Sequence, residues 1–437
     1  MTFFSFCNTY LLGACLPPTL LAAGLYFYMR LGAFPLRHPK RMLRRLFGGG
    51  GSRRSSLSAL MLALAGTLGV GNITGVAVAI SVGGAGAVFW MWVSGIAAAI
   101  LKYAEITLSL DARCRAGKSR GAIDYITPSL GRHAGLAFAA LSLLLSLTMG
   151  SLLQGNVISD ALSVALPVAP VAVGLFLAGI TLLLFLGGRR AVTRLTGLLI
   201  PVLTLAYTGV SLALIIVNIT SLPSVFSRIL HEAFSLRSLG AGVGGFGMAR
   251  AIRAGISKGL FSNEAGAGTA PFAHGAADTA IPAHQGLFGL VEVFVDTILM
   301  CTLTALAILV VHERIPDLSG TGLVTAAFAD ILGNAAAPFV SLSILFFSYA
   351  TVACWVGYGQ TALGYFSTHP TVGALYALLF SALLVVGALL PADGAFDICD
   401  TVLGAMTLIN IAALLKNRAR IRTLTEEYGL IGNKKKR

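Results

Sequence analysis

Ser262, Asn263 and Glu264 stand among glycines in GLFSNEAGAGTAP (259–271), with apolar sequence on both sides. An ionised carboxylate at the centre of a bilayer costs at least about 2.5 kcal/mol, and glycine weakens a helix interior. The combination fits a break in a membrane helix, where freed amide N–H and carbonyl groups bind something other than each other. A second stretch, GTLGVGNITG (66–75), has the same ingredients, clustered glycine around a central Asn72. Irregular backbone persists at membrane depth only when it is buried in protein or lines a cavity. Small residues also line ordinary helix-packing faces, and for GAGAV (84–88) that reading serves equally well. Two breaks that each combine glycine with asparagine favour a binding site.

The elements that must hold these residues are membrane helices. Only 11% of the 437 residues are charged and 56% are hydrophobic, where a soluble protein would carry about a quarter charged. A span needs roughly 20 apolar residues. Such runs fall near 8–29, 57–80, 85–110, 134–160, 166–187, 196–219, 247–279, 286–311, 338–366, 371–390 and 396–415. They predict an all-α polytopic membrane protein with about eleven transmembrane helices. Spans of this length exclude a barrel of short alternating strands.

The net charge of +14 is unevenly placed. Residues 30–54 hold eight Lys or Arg and no acid, 111–132 hold five, 189–194 three and 416–437 eight. With eleven spans these segments share one side, whereas the loops near 312–336 and 391–397 carry Glu313, Asp317, Asp330, Asp393 and Asp397. The positive-inside rule then predicts a cell-membrane protein with its N-terminus outside and its C-terminus in the cytoplasm. This placement argues against a nucleic-acid partner. Six scattered cysteines without CxxC spacing argue against a metal or redox site. The N-terminal run lacks a basic leader and reads as a retained first span.

The chain divides into a first helix (1–30), a basic cytoplasmic loop (31–56), two five-helix sets (57–219 and 247–415) and a basic tail (416–437). Each set opens with one of the two interrupted helices. An odd number of spans per set inverts the second relative to the first, the pattern of secondary transporters with a midplane site between broken helices.

GVGNITGVAVAISVGGAGAVFWMWVSGIAAAILKYAE (69–105) and GISKGLFSNEAGAGTAPFAHGAAD, continuing through QGL and DTILMCTLTAL (255–306), resemble the alanine or glycine:cation symporter family, also called sodium:alanine symporters. LFSNEAG followed by APFAH is the most specific part, and the likeness spans roughly residues 20–415. The resemblance implies a five-plus-five inverted-repeat fold with broken first and sixth core helices. It also implies import of a small neutral amino acid, alanine or glycine and their D forms, driven by sodium, with no cofactor.

Half-helix N-termini suit a carboxylate, and half-helix carbonyl ends suit Na⁺ and an ammonium group. Gly69, Gly71, Asn72, Asn263, Glu264, Gly266 and Gly268 are therefore candidates for substrate contacts at the breaks. Gln154 and Asn156 match the family's Gln-x-Asn stretch on the third core helix. Thr351 and Trp355, spaced i, i+4 on the eighth, face the same way, and Trp355 could wall a small side-chain pocket. A sodium site would draw on carbonyls near Leu68, Gly69 and Val70 and on the Thr351 hydroxyl. Lys102 and Glu105 are expected to form an ion pair, His274 and Asp278 a solvated helix end, and Arg250 and Arg253 an anchor at the outer end of the sixth core helix.

The chain departs from the family pattern at Ala350, where a Ser is expected, at Gln360, where Glu is common, at Ala267, where Met is common, and in GGAG (83–86) for Gly-Gly-Pro-Gly. These positions bear on the coupling ion and substrate range. Proton coupling through Glu264 or another buried carboxylate and a non-transporting amino-acid sensor are the alternatives. A membrane enzyme would need a convergent nucleophile–base set or metal cluster, and the sequence offers neither.

Overall fold

In a computed structural model, residues 6–8, 13–48, 53–117, 119–235, 245–279, 281–315, 318–390 and 392–432 are described, and every regular element among them is helical. Most of the glycine run at 48–51 and the terminal KKKR lie outside the described residues. Helix α1 (Gly13–Arg30) is followed by a short helical turn at Phe34–Arg37 and by α2 (Pro39–Gly48). Next come α3 (Arg53–Thr67), α4 (Val76–Gly83), the 31-residue α5 (Gly86–Ala116) and α6 (Ile123–Leu130). Helices α7 (Arg132–Leu147) and α8 (Leu153–Ala165) are joined through a π-helical turn at Thr148–Leu152. Gly188, at φ 60°, separates α9 (Pro170–Gly188) from α10 (Thr196–Val217).

The second half comprises α11 (Leu222–Ala233), α12 (Gly245–Asn263), α13 (Ala270–His274) and α14 (Pro282–Val293). A π-helical stretch, Phe294–Cys301, runs from α14 into α15 (Thr302–Leu309). The chain continues through α16 (Gly320–Leu332), α17 (Ala336–Leu363), α18 (Pro370–Leu389), α19 (Ala392–Lys416) and α20 (Arg418–Glu427).

Eight helical stretches among the described residues are long and apolar enough to cross a membrane, or nine if the pair α3/α4, bent by 55°, is one span. Two of the eleven expected spans fall short of that standard. Helix α1 carries Pro17, Pro18 and Arg30, and α12/α13 is interrupted and carries Arg250, Arg253 and Lys258. The expected loop at 312–336 is largely the helix α16, which sequence reading missed because its acids suggested solvent.

The centre is built on α5, which packs against α1, α12 and α14, so both sides of the second break rest on one long helix. Helices α9 and α10 pack on α17 and α18, and α8 lies against the same two. Outward-facing apolar residues such as Leu175, Phe176, Leu183, Leu186, Leu198 and Leu205 are more than half exposed, as a lipid-facing belt requires.

Candidate functional site

The first break follows Leu68, whose N–H still bonds the Leu64 carbonyl at 2.7 Å. Asn72 then caps the interruption from within, its Oδ1 accepting the Gly69 N–H at 3.0 Å. Carbonyls of Gly69 and Val70 accept from the amides of Asn72 (3.2 Å) and Gly75 (2.8 Å). Two of the three carbonyls assigned to sodium are thus engaged within the chain.

The second break is sharper. Glu264 adopts φ 51°, and Gly266 and Gly268 lie at φ 91° and 80°, a region that favours glycine and strains Glu264. Asn263 Oδ1 accepts the Ala265 N–H at 2.8 Å, while its amide donates to Thr297 Oγ1 at 2.9 Å. Asn263 thus ties the backbone of the break to its own side chain and to Thr297.

The charged residues around this break differ from expectation. Lys102 and Glu105 do not pair. Lys102, fully buried, donates to the Asn263 carbonyl at 2.6 Å and to Glu292 at 2.5 Å. Glu105 accepts the Gly268 N–H at 2.9 Å and the Asn410 amide at 2.8 Å, and Asn410 also reaches the Gly266 carbonyl at 2.8 Å. The polar backbone atoms of Gly266 and Gly268 predicted for substrate thus face protein partners. His274 is not at a solvated end. It is buried, with Nε2 3.1 Å from Glu292 and Nδ1 2.8 Å from the Gln285 amide, whereas Asp278 remains exposed and its N–H bonds Ser55. Spacing along one helix could not reveal this, because the partners come from α12, the break after it, α14 and α19.

Both breaks meet at Asp296, a residue sequence reading passed over. Its fully buried carboxylate accepts from Ser262 Oγ (2.7 Å), the Asn72 amide (2.9 Å) and Thr297 Oγ1 (2.9 Å). Asn72 also donates to Ser262 Oγ at 3.0 Å, joining the two broken helices directly. All three partners are neutral side chains. The available signal was the pair of acids Glu292 and Asp296 in the apolar run VEVFVDTILMC (291–301), which at membrane depth are functional-site candidates by default.

A second cluster lies where α8 faces α17. Gln154 donates to the Met149 carbonyl of the π-helical turn at 2.9 Å, and Gly150 in that turn abuts Trp355. A Cβ placed on Gly150 would lie 2.3 Å from the Trp355 Cβ, so only glycine fits there. Trp355 is fully buried and stacks edge-on against Tyr358 at 5.2 Å. Gln154 Oε1 and Trp355 Nε1 are buried without hydrogen-bond partners among the described residues, and such groups call for a ligand or water. Asn156 points elsewhere, donating to the Gly387 carbonyl at 3.3 Å and that of Leu390 at 2.5 Å.

Thr351, on the same α17 face as Trp355, approaches the first break. Its hydroxyl lies 3.1 Å from the Ala65 carbonyl and 3.2 Å from that of Phe347. A Cβ on Gly69 would come within 2.7 Å of it. Thr351 thus bonds the Ala65 carbonyl at the end of α3 and packs against Gly69 of the break, one of the three residues assigned to sodium. Ala350 beside it is fully buried and supplies no side-chain oxygen.

A cavity of about 830 Å³ opens between the ends of α4, α8, α12, α16 and α19, reaching Thr74 and Asn156. Lys258 and Asp400 pair across it at 2.8 Å, with the ammonium 4.9 Å from the Phe396 ring. Arg250 and Arg253 line the same space, so they are cavity residues and not only anchors. At the opposite end the space between Phe272, Cys354 and Gln360 is about 50 Å³.

The sequence matches the sodium:alanine symporter family over residues 1–436. It is 33% identical to the sodium/alanine symporter AgcS of Methanococcus maripaludis, covering 93% of this chain and 92% of that protein. It is 34% identical to the amino-acid carrier protein AlsT of Bacillus subtilis, covering 92% and 86%. It is 32% identical to the probable sodium/glutamine symporter GlnT of the same organism, covering 94% and 86%. A membrane-spanning helical protein with two broken helices joined at a buried polar centre, and with this similarity along its whole length, belongs to the sodium:alanine symporter family.

Proposed function

We propose that this multi-pass membrane transporter imports a small neutral amino acid, alanine or glycine, together with sodium by alternating access. The observation that carries the reading is Asp296. A buried carboxyl whose partners are all neutral, set at the junction of both broken helices, is stabilised in its ionised form by a bound cation, and hard oxygen donors suit Na⁺. Ser262 and Thr297 supply neutral hydroxyl oxygens beside it, and the Asn72 amide holds the carboxylate in place. Thr351 and the Ala65 carbonyl form a second oxygen-rich position at the first break.

The substrate would lie between the breaks and the Gln154–Trp355 cluster. There the unpaired Gln154 oxygen suits an ammonium, the Trp355 N–H suits a carboxylate, and the indole limits side-chain size. Relatives named for alanine and for glutamine show that the family's names extend beyond one substrate. With the acidic loop ends outside, the large cavity faces outward and the described state is open to the exterior. Five-plus-five inversion and a cytoplasmic C-terminus complete the reading.

Uptake of labelled alanine and glycine into proteoliposomes, driven by an imposed Na⁺ gradient and then by an H⁺ gradient, tests it. Sodium-driven uptake is expected, and uptake that ignores Na⁺ replacement by choline would defeat the reading. In that case Glu264 becomes the leading proton carrier, because its buried Oε1 has no hydrogen-bond partner among the described residues. Trp355→Ala should admit larger substrates such as valine, with alanine affinity lowered about tenfold, as expected for a pocket losing an aromatic wall. Competition by unlabelled valine checks this. Thr351→Ala should raise the half-saturating Na⁺ about five- to tenfold while leaving the ranking of amino acids unchanged, which uptake against Na⁺ concentration would measure.

A further inference from the structure

Helix α2 takes no part in the site described above. It begins shortly after α1 ends at Arg30, separated from it only by the turn Phe34–Arg37 and its flanking residues. Its start therefore lies close to one membrane surface. At 100° per residue, Met42, Leu46, Leu43 and Phe47 fill one sector of the helix, and Lys40, Arg44, Arg41 and Arg45 fill the other.

The apolar sector serves two purposes. Leu46 is buried and Met42 half-buried against the protein, whereas Leu43 and Phe47 are 44% and 62% exposed. The inner half is fastened by the Tyr428 hydroxyl donating to the Arg45 carbonyl at 3.0 Å, and by the Arg45 guanidinium 5.4 Å from the Tyr428 ring. Those contacts fix which way the outer half faces. No carboxylate among the described residues pairs with Lys40, Arg41 or Arg44. By contrast, Arg420 grips Asp111 with two nitrogens and Arg422 pairs with Glu426.

We propose that the outer face of α2 is a docking site for anionic phospholipid, with Leu43 and Phe47 entering the acyl boundary and Lys40 and Arg44 holding the headgroup phosphate. Lys40, Leu43, Arg44 and Phe47 follow i, i+3, i+4 and i+7 spacing, so the cations border the apolar strip. Basic residues that only set topology need no helix and no exposed apolar edge. A second copy of the chain would bring this basic face against itself, which like-charge repulsion disfavours.

The test uses full-length protein carrying Phe47→Trp, in vesicles of phosphatidylcholine and phosphatidylglycerol, with one of the two lipids brominated at a time. The signal added over the parent protein should be quenched, and several-fold more efficiently by brominated phosphatidylglycerol at equal mole fraction. Adding Lys40→Gln and Arg44→Gln should erase that preference, by about fivefold per cation, while quenching by phosphatidylcholine persists. Equal quenching by both lipids before the charges are removed overturns the proposal, as does a preference that survives their removal. An unquenched signal that grows with protein-to-lipid ratio also overturns it and assigns the face to a second copy.

Discussion

Asp296→Asn is expected to give a folded, membrane-inserted protein whose amino-acid uptake has lost its response to sodium. The substitution keeps the size of the side chain but removes its charge. It also places an amide donor where Ser262, Thr297 and Asn72 now all donate. Without the anion, a cation at this junction loses its one charged ligand, and the half-saturating Na⁺ should rise at least about tenfold or uptake should cease. Uptake against Na⁺ concentration, with a size-exclusion profile as control for folding, distinguishes loss of coupling from loss of protein. Unchanged sodium dependence would reduce Asp296 to a structural hydrogen-bonding group.

Lys102→Met should act on stability first. Lys102 and Glu292 are both fully buried and pair at 2.5 Å, and Glu292 is shared with His274 at 3.1 Å. Removing one partner of a buried pair costs about 3–5 kcal/mol, because the remaining charge keeps its desolvation penalty. The Asn263 carbonyl at the second break would lose its donor as well. A large drop in melting temperature and in monodisperse yield after purification is expected. Lys102→Met combined with Glu292→Leu should recover part of the stability, since no unpaired charge is left, but not transport, since the break is no longer held. A single variant as stable as the parent would show that the pair does not secure the break.

Much of the membrane architecture was legible in the sequence, because hydrocarbon thickness fixes span length and leaves few structural solutions. Both interruptions were legible too. Glycine clusters beside Asn72 and Asn263 mark places where backbone must leave helical geometry, and each asparagine carboxamide does bond the backbone of its own break. What could not be read was partnership between helices. Lys102 and Glu105 sit i, i+3 on α5, yet each finds partners on other elements. His274 looked terminal because α13 is short, but α14 covers it. Asp296 was overlooked because its ligands come from α4's break, α12 and its own neighbour, a set visible only after folding. Helix α16 was hidden by the acids in and before it, Glu313, Asp317 and Asp330.

The central claim is coupling between an amino acid and sodium, and coupling is reciprocal. In proteoliposomes with equal sodium on both sides, an inward alanine gradient should therefore drive labelled Na⁺ into the lumen above its equilibrium level, and Asp296→Asn should abolish that flux. Alanine influx that carries no labelled sodium would contradict the account.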